Sequence, residues 1–340
     1  MNWTGWTRRI VAQTRASRLI TLGTPLPAAP LEPAADEPDW VQANPSWIAR
    51  ALARAQRKPT GGWYALGASR EIGGAPRKFV VEGRELVLWR DGESLRAGPD
   101  TCPHMGAALS GGRVEQGRVV CPWHGLALGA TRHGRWCPLP AMDDGVLAWV
   151  RLDNAETPTD APILPHRPTR YLDGVIRIDA RCAPEDVVAN RLDPWHGVHY
   201  HPYSFARLRV LRRTEEDIVV RVAYRALGPV CVEVDARFHC PSARCITMSI
   251  EAGEGAGSVV ETHATPLGPG RTAIIEATLA TSDRPGFAWA LRGAAMLRPF
   301  LERVARRLWV DDAAYAERAY QLRAAGQPEA LPGDTALADP

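Results

Sequence analysis

Two short stretches hold the residues best suited to chemistry. Cys102-Pro103-His104 is followed, after sixteen residues, by Cys121-Pro122-Trp123-His124-Gly125. Far downstream, Asn190-Arg191-Leu192-Asp193-Pro194-Trp195-His196-Gly197-Val198-His199-Tyr200-His201-Pro202 places three histidines and an acid within nine residues. Two Cys–His pairs can hold zinc, which takes Cys2His2 sets readily. Such zinc sites usually pair Cys with Cys and His with His, whereas here each loop supplies one of each. That distribution suits a [2Fe–2S] cluster with two thiolates on one iron and two imidazoles on the other. The Pro and Gly residues let two tight loops turn their backbone N–H groups toward the sulfides.

The second stretch reads as a site for a different metal. Two His and one carboxylate on one face of a non-heme iron leave positions open for O2 and a substrate. Helical spacing alone favours Asp193, His196 and His199, which recur every third residue on one face. Pro202 argues for another set. The residue before a proline is pushed out of helical conformation, so His201 falls at a helix end and can turn toward the metal. Spacing leaves both sets open.

The pattern C-x-H-x16-C-x2-H, in a Gly-rich β-type sequence, resembles the Rieske family. Cytochrome bc-type members carry an extra cysteine in each loop, and here Ala107 and Trp123 stand at those positions. Their serine after the second loop's glycine is replaced by Leu126. Fewer hydrogen-bond donors to the cluster imply a low potential, which excludes a respiratory subunit. The second stretch resembles the N-x2-D-x2-H-x4-H motif of Rieske oxygenase terminal components. This resemblance implies His196 and His201 as iron ligands, with Asn190 and Asp193 as the motif's supporting catalytic residues. His199 is left to a place behind the ligands, in the substrate pocket or in packing. Family members carry the third ligand in a stretch resembling [ED]-D-x4-E on a C-terminal helix. Asp311-Asp312-Ala313-Ala314-Tyr315-Ala316-Glu317 fits and implies Asp312, against the plainer reading of an Asp pair that opens a helix. The interval from His201 to Asp312 is short for the family and implies a trimmed catalytic domain.

The resemblance further implies a head-to-tail homotrimer, with Asp193 bridging His124 of one subunit to His196 of its neighbour. A carboxylate can accept from both imidazoles and fix their tautomers. No Gly-rich loop between a strand and a helix marks a flavin or nicotinamide site, so a separate ferredoxin or flavin reductase is the expected electron donor. The implied activity is O2-dependent hydroxylation, demethylation or dihydroxylation of a small apolar organic substrate, with a [2Fe–2S] cluster and a mononuclear Fe(II). The competing readings are a Rieske electron-transfer protein and a catalytically silent, oxygenase-like binding subunit. Either leaves the joint pattern of Asp193, His196, His201 and Asp312 incidental.

These residues need elements to hold them. The chain has 340 residues, enough for two ordinary domains. Its near-balanced charge, +3 overall, gives no sign of nucleic acid. No apolar run approaches the roughly 18 residues needed to span a bilayer. Seven cysteines, an odd number, do not form a dense disulfide framework. Cys137, Cys182, Cys231, Cys240 and Cys245 lack a ligand pattern and read as ordinary buried cysteines. Arg8-Arg9 resembles a twin-arginine export signal, but Arg15 and Arg18 interrupt the apolar stretch that should follow. The expected location is the cytoplasm.

Residues 1–58 read as an N-terminal extension. It has a Pro/Ala-rich linker from Thr24 to Pro38 between two amphipathic helices, one with Trp3, Trp6, Ile10 and Val11, the other from Ser46 to Arg57. Such basic, Trp-bearing helices pack on a domain or subunit, or lie on a membrane, so peripheral membrane association through this extension is a second expectation. Short β-type runs and Gly turns over 59–155 predict a small antiparallel β domain. Residues 165–325 are expected to form the catalytic domain. They open with a helix near Pro184, continue as strands from Asp217 to Ala280, and end in helices over Phe287–Leu308 and Asp311–Arg323. Residues 326–340 read as a flexible tail. The fold class is α+β, with an antiparallel sheet wrapped on C-terminal helices in a helix-grip arrangement. Phe287, Trp289, Leu291, Met296 and Leu297 are the candidate liners of a substrate pocket.

Overall fold

A computed structural model describes residues 19–23, 26 and 42–327. The helix expected around Trp3, most of the linker and the tail beyond Gln327 lie outside the described residues. In chain order the elements open with β1 (Ile20–Leu22) and α1 (Pro45–Ala55). Nine strands follow: β2 (Trp63–Ala68), β3 (Arg77–Val81), β4 (Arg84–Asp91), β5 (Ser94–Pro99), β6 (Arg113–Glu115), β7 (Arg118–Val120), β8 (Ala127–Leu128), β9 (Ala141–Asp143) and β10 (Leu147–Arg151). They form three antiparallel sheets, ordered β2-β10-β9, β3-β4-β5 and β6-β7-β8. Alternation along these strands buries Leu86, Leu88, Val81 and Tyr64 in one core, and Val87, Trp89 and Val119, with Leu109 and Trp136 from the connections, in a second beneath the cysteine loops.

The second half begins with β11 (Leu172–Ala180), then α2 (Pro184–Leu192) and α3 (His196–Tyr200). Next come β12 (Phe205–Arg213), β13 (Asp217–Leu227), β14 (Val230–Ser242), β15 (Cys245–Gly253), β16 (Val259–Gly268) and β17 (Arg271–Ala280). Two helices close it, α4 (Phe287–Arg292) and α5 (Ala294–Ala324). The strands form one antiparallel sheet in the order β11-β17-β16-β15-β14-β13-β12, with β1 added in parallel beside the start of β14. The sheet curves around α2 and α5, and Trp309, Ala313 and Ala316 of α5 pack on Ile176, Ala180 and Ile274. This is the α+β, helix-gripping arrangement expected above.

Four features depart from the sequence reading. The two expected C-terminal helices are one: α5 runs 31 residues through Leu308 and Asp311 without a break, and even contains Pro299. The Asp pair therefore sits in mid-helix and caps nothing. Helix α1 lies in the stretch read as an extension and packs, as one of the expected outcomes, on a domain, but it enters the core of the second half instead of resting on its surface. Asn44 caps it by accepting from the Trp47 N–H at 2.9 Å, and Pro45 begins it. Its buried face (Trp47, Ile48, Ala51, Ala55) joins Val188, Leu192, Trp195 and Phe238 in the core of the second half. Strands β11 and β12 were not foreseen. Cys137 is exposed, while Cys182, Cys231, Cys240 and Cys245 are buried free thiols. The neighbouring Trp136 fills the space at Gly98, leaving Cys137 outside that core.

The two halves are joined by packing and charge. Trp63 and Trp149 share an apolar cluster with Val175, Ala273, Ile275 and Leu279. Alongside it, Arg167 of the connecting segment pairs with Glu261 of β16 through two hydrogen bonds (2.5 and 2.8 Å) and with Asp144 at 3.1 Å. His263 meets Glu261 at 3.0 Å, and the Trp149 indole donates to Asp144 at 2.7 Å. Burial works against ionisation of Glu261, but Arg167 and His263 hold its carboxyl below the usual range.

Candidate metal centres and cavity

The cysteine loops are built alike. In the first, the Cys102 N–H donates to the Ala107 carbonyl at 2.8 Å and the Gly106 N–H to the Cys102 carbonyl at 2.9 Å. The second repeats this with Cys121 and Leu126 (2.9 Å) and with Gly125 and Cys121 (3.1 Å). Gly106 (φ 83°) and Gly125 (φ 74°) take left-handed turns that a side chain would strain. Both thiols point inward and are buried, whereas His104 and His124 stand exposed with their rings edge to face, 4.8 Å apart. Burial pushes the Cys102 thiol up. For Cys121 burial acts in the same direction, but the Trp123 N–H, the Cys102 side chain and the His124 N–H outweigh it and lower the thiol.

The four side chains fit a two-iron cluster better than one ion. Among the described residues, only His196, His201 and Asp312 form a set of three or more His, Cys, Asp or Glu ligand atoms within 4.8 Å of one another. Two thiolates inside and two imidazoles outside match two irons in a row.

The second centre is assembled by a broken helix and a long one. Helix α2 ends at Leu192, since Asp193 (φ −107°, ψ 77°) precedes Pro194 and leaves helical geometry. One short turn later, His201 (φ −119°, ψ 54°) ends α3 before Pro202. These two breaks bring His196 and His201 toward α5. There His196 Nε2 lies 2.9 Å and His201 Nε2 lies 2.8 Å from the same Asp312 oxygen, Oδ1. Asn190 Nδ2 approaches that oxygen at 3.4 Å. The far ends of the two helices are tied as well: Arg323 pairs with Asp186 (2.8 Å), and Glu317 accepts from the Arg181 N–H at 2.7 Å.

Each histidine is set from behind. His196 Nδ1 bonds the Asp193 backbone carbonyl, and Tyr315 stacks on its ring with centroids 5.2 Å apart. His201 Nδ1 faces the Tyr203 hydroxyl at 3.3 Å, and that hydroxyl donates to Asp311 at 2.7 Å. With Nδ1 engaged, each Nε2 is left for a metal. Burial opposes charge on His196, but Asp193 and Asp312 together push its pKa up to about 9. Asp312 is held well below the usual carboxylate range: burial alone would raise it, and the two imidazoles and Arg191 reverse that. The buried carboxylate and the two imidazole nitrogens that meet on it make the trio a cation site. Two imidazoles and one carboxylate suit iron(II). His199 is exposed and outside the trio.

A cavity of about 170 Å³ opens onto the trio. The sheet contributes Phe205, Tyr224, Phe238, Met248 and Val260, and α5 contributes Leu301, Val304, Ala305 and Leu308. The liners expected from sequence do not line it. Trp289, Met296 and Leu297 are exposed, because that stretch precedes the turns of α5 that face the sheet. Arg191, Glu276 and Thr278 line the cavity and were not foreseen; Glu276 could have been noticed as the single acid in strand β17. Asn190 Oδ1 and Asp193 Oδ1 are buried without a partner among the described residues.

Comparison with known proteins places the chain. A family model described as a domain of unknown function, DUF5914, matches residues 153–327, just over half of the chain. The chain belongs to this family. A Rieske [2Fe–2S] domain model matches residues 62–154, so this DUF5914 member carries a Rieske domain ahead of the family's own. The oxygenase component of chloroacetanilide N-alkylformylase from Rhizorhabdus wittichii is 30% identical over 185 residues, 46% of this chain and 52% of that protein. The vanillate O-demethylase oxygenase subunit of a Pseudomonas species is 36% identical over 85 residues, covering 25% of this chain and 23% of that one. The chain thus spans about half the length, or less, of these curated relatives. Among solved structures, dicamba monooxygenase bound to dicamba superposes with a TM-score of 0.61 at 18% identity, covering 80% of this chain and 90% of that one. The terminal oxygenase of carbazole 1,9a-dioxygenase from Novosphingobium sp. KA1 gives 0.55 at 14% identity, covering 86% and 91%. At such identities the structures show a shared fold.

Proposed function

We propose that the DUF5914 chain is an oxygenase that uses O2, and electrons from a separate ferredoxin or flavin reductase, to hydroxylate, demethylate or dihydroxylate a small apolar organic substrate. The observation that carries this is one chain holding a Rieske domain and, in its other half, a His-His-Asp trio open to an apolar cavity. In this reading Cys102, His104, Cys121 and His124 hold the [2Fe–2S] cluster, and His196, His201 and Asp312 hold the iron. When bound, the cluster passes single electrons and the iron(II) activates dioxygen beside the substrate.

The chain's own residues prepare for that. The apolar wall excludes water and orients the substrate, while Asn190 steadies Asp312. Asp193 keeps one buried oxygen unpartnered, and it is assigned the bridge between His196 and His124 of a neighbouring subunit in a homotrimer. Exposed Met105 and Trp123 on the cluster loops would pack on that neighbour. A complex of the carbazole 1,9a-dioxygenase oxygenase with its ferredoxin, similar in fold at a TM-score of 0.55 and 14% identity, supports a ferredoxin as donor. The expected location is the cytoplasm; no helix among the described residues is long and apolar enough to cross a membrane. The test is incubation of the loaded, reduced protein with a panel of monocyclic aromatics under ¹⁸O2. One labelled oxygen in a product supports monooxygenation and two support dihydroxylation. Full reduction and reoxidation of the cluster with neither a labelled product nor demethylation of any methoxy compound would favour the electron carrier.

A further inference from the structure

The oxygenase reading says nothing of what the cavity recognises besides apolar surface. Arg191, near the end of α2, turns its guanidinium into the cavity with the side chain 16% exposed. Its nearest acid is Glu276 Oε2, at 3.8 Å, beyond hydrogen-bond distance. Among the described residues this guanidinium makes no hydrogen bond; it lies over the rings of Phe238 (5.9 Å) and Trp309 (5.7 Å). Five N–H donors that face a cavity without a protein acceptor are available to a ligand there. Glu276 is the converse. It projects from β17 on the same face as Ile274 and Thr278, and the Trp309 indole donates to its Oε2 at 2.5 Å. A carboxylate offers about four acceptor sites, most of them still open here.

We propose that Arg191 and Glu276 form a subsite for a hydroxyl group on the substrate, which accepts from the guanidinium and donates to the carboxylate. The inference rests on the oxygenase reading and narrows its substrate class to a compact, ring-sized apolar molecule carrying one hydroxyl. Size supports this, since a cavity of about 150 Å³ takes a single benzene ring and the one here is about 170 Å³. The spacing supports it too: an oxygen placed beside the pair can lie about 2.8 Å from each of two atoms that stand 3.8 Å apart. A carboxylate would satisfy Arg191 but face Glu276, an ammonium would do the reverse, and an ether could only accept.

The test is calorimetric titration of the cluster- and iron-loaded full chain, kept anaerobic so that nothing turns over, with phenol, anisole and benzoate. Phenol should bind at least about tenfold tighter than either of the others, the worth of one hydrogen bond to a charged group. The charge-neutral pair of substitutions Arg191→Gln and Glu276→Gln should shrink that preference to within about threefold. Equal binding of phenol and anisole, tighter binding of benzoate, or no binding of any probe would overturn the subsite. So would an undiminished preference in a double variant that retains normal metal content. Because binding needs no turnover, a phenol preference with no ¹⁸O product would keep the subsite and remove the oxygenase reading.

Discussion

Asp312→Ala should lose the mononuclear iron and cut oxygenation by more than about 100-fold, since removal of mere supporting partners of metal ligands already costs 10–100-fold. The variant removes the oxygen on which both imidazoles converge, at 2.9 and 2.8 Å. Two neutral imidazoles alone bind iron(II) weakly. The visible spectrum of the cluster should not change, because Cys102 and Cys121 belong to the core around Val87 and Trp89, and Asp312 lies on α5 in the other half. Iron content, cluster absorbance and ¹⁸O incorporation measured on one preparation check all three points. Loss of the cluster along with the iron would mean that the substitution had unfolded the chain.

Arg167→Met should destabilise the whole molecule by about 3–5 kcal/mol, the cost of breaking a buried pair and leaving its partner charged. The Glu261 side chain has no exposure and that of Asp144 has 4%, so neither carboxylate can turn to water. The midpoint of denaturant unfolding, followed by tryptophan fluorescence, should fall accordingly. The pH dependence follows from the same group. Glu261 titrates below its ordinary value of 4.5 in the folded chain, so its stabilisation is complete above that value and lost as pH falls through the lower, folded one. Acid unfolding of the native chain should therefore begin below about pH 4.5, and Arg167→Met should move it upward. An unchanged denaturation midpoint would mean that the clamp between the halves is energetically idle.

What could be read from sequence was what is local in sequence. The cysteine loops carry both ligand types within a few residues, so a cluster site could be suggested from local sequence. His201 was placed at a helix end by Pro202, a purely local argument, and the structure has it there. Asp312 lies 111 residues away from His201, and only the resemblance connected the two. The pocket was misread because apolar residues recur at helical spacing on both the buried and the exposed turns of α4 and α5. Periodicity finds a stripe but does not say which part of it meets the sheet. Strands β11 and β12 escaped because they are the sheet's two edges, where polar residues dilute the apolar alternation; β12, rich in arginine, buries only Leu208 and Val210. Arg191 and Glu276 escaped because they come together only after α2 is laid on the sheet, across β16 beside β17.

The central claim is that one chain holds a cluster and a separate iron, and the ratio of iron to acid-labile sulfide tests it most directly. Protein purified anaerobically, incubated with Fe(II) and stripped of excess should contain about three irons per two sulfides. The Asp312→Ala variant treated in parallel should contain about two. A native ratio of about two to two would contradict the account, leaving His196, His201 and Asp312 without a metal and the chain as an electron carrier.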